Sequence, residues 1–402
     1  MSWLYWYTKY KQYRDPRRAV GNAMARLDPA AADVYKLKVP APDDVARFIT
    51  YTIQNNLMTI DDWLRIFNIS GVEADVMQSI LYAMPFGKIL ISILTYGAPS
   101  VTLNAYATFS GINFFNTLNL NGYTYIADGQ PHIIIANEVN VPSGSKLIKT
   151  ATGGNGGVSF NPNDAWGIRG PGALGGGGLI IICSRLNNAG VISANGDNAV
   201  NAGSGNPSGT YSGGDGGSGV FALVSGDAVG TGNGGNGRNN GGGGGYAYVI
   251  PGGRGGDSST ILYATYTDLA ESVKRAAIDR ALAVMFNKPP TNTTQFINVY
   301  GSGGGGGGIY LSNTGGGGGG GGGEIIILCE EFNNSGSVTA NGGNGGNGAD
   351  LYGNGGGGGG GGVVYVLYKK LLSLGTLSAA GGTGGTPNAS SGTAGTAKAV
   401  AI

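Results

Sequence analysis

This chain of 402 residues repeats one pattern three times: GLIIICSRLNNAGVISANG (178–196), GEIIILCEEFNNSGSVTANG (323–342) and GVVYVLYKKLLSLGTLSAAG (362–381). Each copy begins at the end of a run of four or more glycines. Three copies in one register predict a repeat architecture, in which neighbouring copies stack into an elongated body. Such a body favours structural display or surface binding over catalysis.

The copies align residue by residue. When the copies are aligned on Cys183, Cys329 and Tyr368, every copy has a glycine seven residues later and an alanine eleven residues later. Each copy closes with Ala-Asn-Gly or Ala-Ala-Gly, and we interpret these closing residues as points of chain reversal, because asparagine and glycine tolerate positive φ. The structural repeat positions are therefore Cys183, Cys329, Tyr368, Gly190, Gly336 and Gly375.

The glycine runs allow two interpretations. Each run precedes an unbroken apolar stretch, which is typical of a strand buried on both faces. A glycine run can be a flexible linker, but a linker has no reason to keep register with a strand. The alternative is an ordered, extended chain similar to polyproline II, which packs against its neighbours because no Cβ intervenes. We expect this packing.

Composition changes sharply along the chain. Of 82 glycines, only eight precede position 153. Charged residues make up 12% and the net charge is +1, so charge gives no reason to expect a nucleic acid partner. The start of the chain has no apolar segment typical of a secretory signal. We therefore expect a protein that is assembled inside a cell and released with a particle.

The glycine motifs GGGGGGGGG (315–323), GGNGGNG (342–348) and GGTGGT (381–386) alternate with short apolar strands. In this respect residues 153–402 resemble the glycine-rich, receptor-binding adhesins at the tips of tailed-phage fibres. The resemblance implies a core of polyglycine-II helices, variable loops at one end, and a role at the virion surface in host attachment. Adhesins of that family are not expected to carry a helical insert or a helical amino-terminal region.

Residues 1–27 mix aromatic and basic side chains, among them Trp3, Trp6, Tyr7, Arg17 and Arg18. This mixture suits docking or anchoring on another virion protein, and we expect that use. It also suits contact with a membrane surface, where aromatic rings and cations meet the headgroups. Positive charge alone could attract a nucleic acid, but we do not expect a nucleic acid partner.

Three domains follow from the changes in pattern. Residues 1–98 have apolar positions at helical spacing and predict a helical docking or anchor region. Residues 99–152 are rich in Thr, Tyr, Phe and Val, which predicts a β-rich neck. Residues 153–402 form the glycine-rich repeat body, with a helical insert at about 265–290. The predicted fold class is α+β, with a helical amino-terminal region, a glycine-rich β-repeat or β-sandwich-like body, polyglycine-II-like segments and one helical insertion.

The two cysteines occupy equivalent positions in two copies. The simpler interpretation is a small, buried apolar side chain. The alternative is a disulfide across stacked repeats, which depends on geometry. The third copy has tyrosine at this position, which argues against a disulfide as a rule of the repeat.

Catalytic and metal-binding motifs are weak. The single histidine, His132, is expected to be a structural residue with its hydrogen bonds satisfied. No Cys and His spacing suggests zinc. GGNGAD (345–350) matches one unit of a calcium-binding glycine repeat, but such repeats share ligands between neighbouring turns. Glu324, Glu330 and Glu331 form the one dense acidic group, and a solvated face explains the last two. We expect neither an enzyme nor a cofactor.

Aromatic residues in the loops are better candidates for binding. Trp166, Tyr211 and Tyr352 are flanked by Asn, Asp and Gly, and aromatic faces in such surroundings suit stacking on sugars or protein contacts. The alternative is that they cap the glycine core. We take these three residues as the receptor-binding candidates.

These observations favour a virion structural protein, a spike or tail-fibre component that attaches the particle to a host cell surface. Its partners would be other virion proteins, a host cell-surface protein or glycan, and further copies of itself in a homo-oligomer. The alternative is a cellular sheath, pilus or wall protein at the cell surface, which assembles laterally through its glycine-rich repeats. An enzyme acting on surface glycans is a third hypothesis, testable by sugar release.

Overall fold

A computed structural model describes residues 42–70, 74–149, 176–199, 201, 219–224, 258–285, 316–348 and 355–402. The chain divides into two compact units. The first combines Met1–Ala98 with Ser272–Gln295, and the second combines Pro99–Glu271 with Phe296–Ile402. In the part that is described, the first unit is helical and the second holds all the strands.

Short amphipathic helices build the first unit. Trp63 is buried, and its indole Nε1 donates a hydrogen bond to Thr52 Oγ1 at 2.8 Å. The buried carboxylate of Asp279 accepts hydrogen bonds from Gln78 and Tyr82, so its burial is compensated. The helices are α1 (Pro42–Gln54), α2 (Ile60–Ser70), α3 (Ala74–Ala83), α4 (Lys88–Leu94) and the second half of α5 (Tyr266–Met285).

The second unit is built on parallel strands. They are β1 (Ser100–Thr102), β2 (Ala107–Asn119), β3 (Thr124–Val141), β4 (Lys146–Lys149), β5 (Gly178–Asn188), β6 (Val191–Ser193), β7 (Gly219–Val224), β8 (Ser258–Tyr263), β9 (Glu324–Asn334), β10 (Ser337–Thr339), β11 (Val363–Ser373), β12 (Thr376–Ser378) and β13 (Thr396–Ala401). Eleven of them form one sheet in the order β12-β10-β6-β4-β3-β5-β9-β11-β13, with β2 paired to β3 and β1 paired to β2. β7 and β8 form a separate two-stranded sheet.

Each sequence copy forms one coil. A long strand (β5, β9 or β11) turns at a two-residue corner into a short strand (β6, β10 or β12), and the next coil stacks on it in parallel. The pairing places Cys183 opposite Cys329 and Cys329 opposite Tyr368, so the alignment of the copies is also the stacking register. The corner glycines lie close to the preceding coil, where a Cβ on Gly336 would stand 2.1 Å from the Gly190 carbonyl oxygen.

The described glycine runs lie beside the coils as extended chains. Gly319 N donates to Gly357 O at 2.9 Å and Gly322 N donates to Gly360 O at 2.8 Å, so equivalent bonds recur every third residue. A three-residue period is typical of polyproline-II-type chains, which make no hydrogen bonds within themselves. These hydrogen bonds therefore all join one extended segment of the protein to a neighbouring segment. We call this part of the structure, residues 316–323, 340–348, 355–362 and 379–395, the glycine layer.

Close packing explains why these positions are glycine. A Cβ on Gly319 would stand 2.0 Å from the Gly343 carbonyl oxygen, and a Cβ on Gly358 would stand 2.1 Å from that of Gly382. Neither Gly319 nor Gly358 has a φ in the left-handed region. Glycine is therefore required here by the approach of the neighbouring backbone and not by its conformational freedom.

We call the segments that follow β6, β10 and β12 the outer chains. In the first two of them asparagine recurs every third residue, at Asn195, Asn198 and Asn201 and at Asn341, Asn344 and Asn347. Asn195 Oδ1 accepts a hydrogen bond from Asn341 N at 2.8 Å, and Asn344 Oδ1 accepts one from Thr383 N at 2.9 Å. The side-chain amide of one coil thus satisfies a backbone N–H of the next coil. The motif Asn-Gly-Gly therefore encodes one outward amide and two positions of close backbone contact.

The predicted fold class was wrong. The body is not β-sandwich-like, and helices are few among the residues described. One all-parallel sheet of eleven strands replaces the sandwich, and it curls until β12 and β13, its two ends, lie near each other. Sandwiches are built from antiparallel strands with alternating polarity. The apolar runs here pair instead with the equivalent run of the next copy, in parallel.

Candidate binding site at the ends of the long strands

Asparagine recurs where the long strands end. Asn119 of β2, Asn140 of β3, Asn187 of β5 and Asn333 of β9 lie opposite one another across four neighbouring strands. Asn187 Nδ2 donates to Asn140 Oδ1 at 2.9 Å, and Asn333 Nδ2 donates to Asn187 Oδ1 at 3.3 Å. We call these four residues the asparagine row. Parallel stacking in register produces the row, because Asn187 and Asn333 hold the same position in two copies and pair in line with Asn119 and Asn140 of β2 and β3.

A cavity of about 320 Å³ lies along the asparagine row. Its volume is at the small end of the range for small-molecule sites. All four members of the row are half-buried. The other lining residues are Val141, Pro142, Asn188, Ala189 and Ser335, which come from the corners that follow the strands. The site therefore combines side-chain amides with small apolar groups.

The amides of the row retain hydrogen-bonding capacity. Among the described residues, Asn140 Nδ2 and Asn333 Oδ1 make no hydrogen bond to protein, whereas Asn119 Oδ1 accepts one from Asn121 N at 3.1 Å. An amide group offers two N–H donors and two acceptor lone pairs. The cavity can therefore donate hydrogen bonds to a ligand and accept them from it.

A second pair of asparagines holds the corners in place. Asn188 and Asn334 are buried, and Asn188 Nδ2 donates to Asn334 Oδ1 at 2.8 Å. Asn188 Oδ1 accepts from Gly190 N at 3.1 Å, and Asn334 Nδ2 donates to Leu374 O. Asn188 thus ties its strand end to its own corner, and Asn334 ties its strand end to the corner of the next coil, which fixes the wall of the cavity.

Charged residues alternate in sign two positions before the asparagine row. Glu138, Arg185, Glu331 and Lys370 are Cα partners on successive long strands, and we call them the charge row. Glu331 lies 2.7 Å from Arg185 and 3.2 Å from Lys370. Hydrogen bonds from Lys370 and Arg185 lower the pKa of Glu331. Because the cations of both pairs are exposed, the pairs contribute little to the stability of the sheet.

His132 lies in a separate buried cluster. Its Nε2 lies 2.9 Å from Tyr125 Oη and its Nδ1 lies 2.8 Å from Asp128 O, so both ring nitrogens are hydrogen-bonded. Burial lowers the pKa of His132 to about 4 and that of Lys149 to about 8, and it raises the pKa of Tyr125. The prediction that His132 is a satisfied structural residue is confirmed.

The two cysteines are free and buried, on neighbouring strands. Burial raises the pKa of both Cys183 and Cys329, so each stays a thiol at neutral pH. They behave as small apolar core residues, and the disulfide is absent.

Several predicted site residues lie outside the described residues. These are the receptor-binding candidates Trp166, Tyr211 and Tyr352 and the docking candidates Trp3, Trp6, Tyr7, Arg17 and Arg18. The repeat positions, in contrast, are brought together: Gly190, Gly336 and Gly375 stand at three successive corners. The asparagine row was missed. Its signal in the sequence is the Asn-Asn pair at 187–188 and 333–334, which recurs at the same place in two of the three copies.

Metal ligands do not cluster in the part of the chain that the structure describes, where no group of three His, Cys, Asp or Glu residues could hold an ion. Among the same residues, no helix has the length and apolar character needed to cross a membrane.

The cavity is thus an amide-lined site on a stacked parallel sheet, held by buried asparagines and flanked by a charge row. Comparison with known proteins adds no relative. The chain matches no family model, no curated protein and no solved structure.

Proposed function

We propose that this protein is a virion surface component, a spike or tail-fibre protein, that attaches its particle to a host cell-surface glycan through the asparagine row. The observation that carries this proposal is the amide-lined cavity at the strand ends. The amino-terminal region would dock on other virion proteins, and the body would assemble with further copies of itself.

The chemistry of the cavity suits a neutral sugar. Sugar hydroxyls both donate and accept hydrogen bonds, as the amides of Asn140 and Asn333 do. Pro142 and Ala189 offer small apolar surfaces against which the C–H groups of a sugar ring can pack. A volume of about 320 Å³ accommodates about one or two sugar rings. No carboxylate is among the lining residues, so the site supports binding better than glycoside hydrolysis.

The stacked coil suits attachment as well. Each coil adds the same polar groups at one strand spacing from the last, about 4.8 Å. A glycan chain lying along the asparagine row would meet equivalent amides repeatedly, and several weak contacts in one chain add up to useful affinity. Buried amides at the corners keep the row rigid, which lowers the entropy cost of binding.

Changing two asparagines tests the site. We expect Asn140→Ala and Asn333→Ala each to weaken binding of the best ligand on a neutral-glycan array roughly tenfold, because each removes hydrogen bonds worth about 1 kcal/mol. Surface plasmon resonance of the full-length protein measures the change. The matched control is Asn104→Ala, an exposed asparagine outside the cavity, which should bind as the unchanged protein does. Equal affinity in all four proteins would remove the asparagine row as the site.

Location is tested separately by immunogold electron microscopy of the producing culture, with antibody raised against residues 153–402. We expect gold on the spikes or fibre tips of released particles. Gold along the cell envelope or its filaments, with bare particles, would instead support the cellular sheath, pilus or wall protein.

A further inference from the structure

Two exposed tyrosine rings stand side by side at neighbouring corners of the stack. Tyr106 immediately precedes β2, and Tyr123 immediately precedes β3. Their exposed fractions are 76% and 36%. The ring centroids lie 6.2 Å apart with an angle of 82° between the planes, which is an edge-to-face contact. The rings therefore support each other while most of Tyr106 stays open to solvent. We call these two residues the tyrosine pair.

The corner that carries Tyr123 has a fixed backbone. Tyr123 N donates a hydrogen bond to Leu120 O at 2.8 Å, which closes a four-residue turn. The two central residues, Asn121 and Gly122, have φ of 47° and 85°, as a type I′ turn requires. Gly122 N also donates to Oγ of the buried Ser145 in the next corner, at 2.9 Å. The ring of Tyr123 is therefore displayed from a backbone that is held from two sides.

The place that Tyr123 occupies is filled by small residues in the next two corners. A recurring hydrogen bond marks this place: Lys146 N donates to Tyr123 O at 3.3 Å, and Val191 N donates to Ser145 O at 3.1 Å. In the following corner the place belongs to Gly190, because its neighbour Val191 is the Cα partner of Lys146. The corners that hold Ser145 and Gly190 also line the cavity. Aromatic rings therefore stand at one end of a row of corners that is otherwise low.

Asn119 connects the tyrosine pair to the cavity. It ends β2, lines the cavity, and directly precedes the turn that ends at Tyr123. The first and fourth Cα atoms of such a turn lie within about 7 Å of each other. Asn121 N donates to Asn119 Oδ1 at 3.1 Å, so the turn is also bonded to the cavity wall. The tyrosine pair therefore lies next to the first member of the asparagine row.

Tyrosine rings in this position suit the next unit of a sugar chain. An aromatic face packs against the C–H groups of a sugar ring, and the tyrosine hydroxyl can exchange hydrogen bonds with sugar hydroxyls. A tyrosine side chain has only two torsion angles to fix, so the entropy cost of such a contact is low. The cavity holds about one or two sugar rings. A longer chain that leaves it past Asn119 would meet the tyrosine pair.

We infer that the tyrosine pair is a stacking subsite for the same glycan, and that the ligand is a neutral oligosaccharide of about three rings or more. The asparagine row binds the first rings by hydrogen bonds, and Tyr106 and Tyr123 bind a further ring by its apolar face. This inference rests on the proposed glycan site and specifies the length of its ligand.

The dependence of affinity on chain length tests the inference. The probes are linear oligomers of glucose, galactose and mannose, from a single ring upwards, and isothermal titration calorimetry of the full-length protein measures their affinity. In the series that binds, we expect the affinity to rise about fivefold or more once the oligomer exceeds about two rings. Tyr106→Ala and Tyr123→Ala should each remove most of this rise. Tyr106→Phe should keep it, because the ring face remains.

Two exposed residues provide matched controls. Tyr51→Ala makes the same change on α1, and Asn104→Ala alters the corner of Tyr106 without removing either ring. Both controls should show the full rise with chain length. In NMR spectra of the complex, ring currents should move sugar proton signals upfield, and this shift should vanish in Tyr106→Ala.

The outcomes separate this inference from the glycan site on which it rests. A rise with chain length that persists in both alanine variants would overturn the inference and leave the cavity in place. So would an affinity that stays constant beyond about two rings. Binding that Asn140→Ala leaves unaltered at every length would instead remove the cavity, and the inference with it. If no oligomer bound to protein that circular dichroism shows to be folded, both would be rejected.

Discussion

Replacing Gly319 or Gly358 by valine is expected to lower the free energy of unfolding by about 3 kcal/mol or more. The added Cβ would stand 2.0 Å from the Gly343 carbonyl oxygen in the first case and 2.1 Å from the Gly382 carbonyl oxygen in the second. These neighbours are backbone atoms, which cannot rotate away as a side chain can. The glycine layer would have to separate, and hydrogen bonds between its chains would lengthen or break. Thermal and urea unfolding of the full-length protein measure the loss.

The effect of the substitution on the unfolded state has the opposite sign and raises the free energy of unfolding. Replacing glycine where its φ is ordinary normally stabilises a protein by about 0.4–1 kcal/mol, because the unfolded chain loses freedom. Gly319→Ala therefore separates the two effects, since it adds only the Cβ. A fall in stability for alanine as well as valine would show that the contact with Gly343 decides the outcome.

Thr383→Val is the matched control for the glycine variants. Thr383 lies on the outer chain of the same layer, next to Gly382, and its side chain is exposed. Its backbone N–H still reaches Asn344 Oδ1 after the change. We expect a change of less than about 0.5 kcal/mol. If Gly319→Val and Thr383→Val unfolded at the same temperature, close packing of the glycine layer would be refuted.

Acid is expected to destabilise the protein through His132 by about 3 kcal/mol between pH 6.5 and 4. Burial lowers the pKa of His132 in the folded state from 6.5 to about 4, and one pKa unit is worth about 1.4 kcal/mol. The folded state excludes a proton that the unfolded state accepts. The stability contributed by neutral His132 is therefore fully present above pH 6.5 and is lost as the pH falls towards 4.

Burial sets the direction of the pKa shift of His132, and the groups around the ring modify its size. Lys149 is buried nearby and lowers the pKa of His132 further, whereas the backbone hydrogen bond and the charge of Asp128 raise it. Nδ1–H donates to the Asp128 carbonyl, so Nε2 of the neutral ring accepts a hydrogen bond from the Tyr125 hydroxyl. Protonation would remove that acceptor and would place two positive charges in one buried cluster.

Urea unfolding between pH 7.5 and 4 measures the loss, and His132→Gln is the control that removes the titrating group. The unchanged protein should lose about 3 kcal/mol more than the variant, since both share all other titrating groups. Because the chain has one histidine, its NMR titration gives an unambiguous second measurement. A histidine pKa near 6.5, or parallel stability curves for the two proteins, would contradict the expectation.

The asparagine row shows where sequence analysis stops short. Asn187 and Asn333 are visible in the sequence as equivalent residues of two copies. That they extend a row begun by Asn119 and Asn140 depends on pairing with β2 and β3, whose segments do not share the full repeat pattern. The cavity exists only because these four strand ends lie side by side.

The repeat register, by contrast, is a property of the sequence alone. Each copy places an apolar run, a corner glycine and an alanine at constant intervals, and identical segments stack best when identical residues meet. The structure therefore pairs Cys183 with Cys329 in the same alignment that the sequence shows. The neutral buried histidine also follows from local surroundings, since it stands beside three consecutive isoleucines.

Tertiary structure decided how the copies meet. An unbroken apolar run is compatible with a sandwich, a barrel or a parallel stack, because burial on both faces does not name the neighbour. Parallel pairing of β2, β3, β5, β9 and β11 selected the stack, and it aligned the residues of the asparagine row and of the charge row. Local sequence determined which residues are strand, corner and glycine chain. Long-range packing alone determined which of them touch, because those contacts join residues up to 146 positions apart.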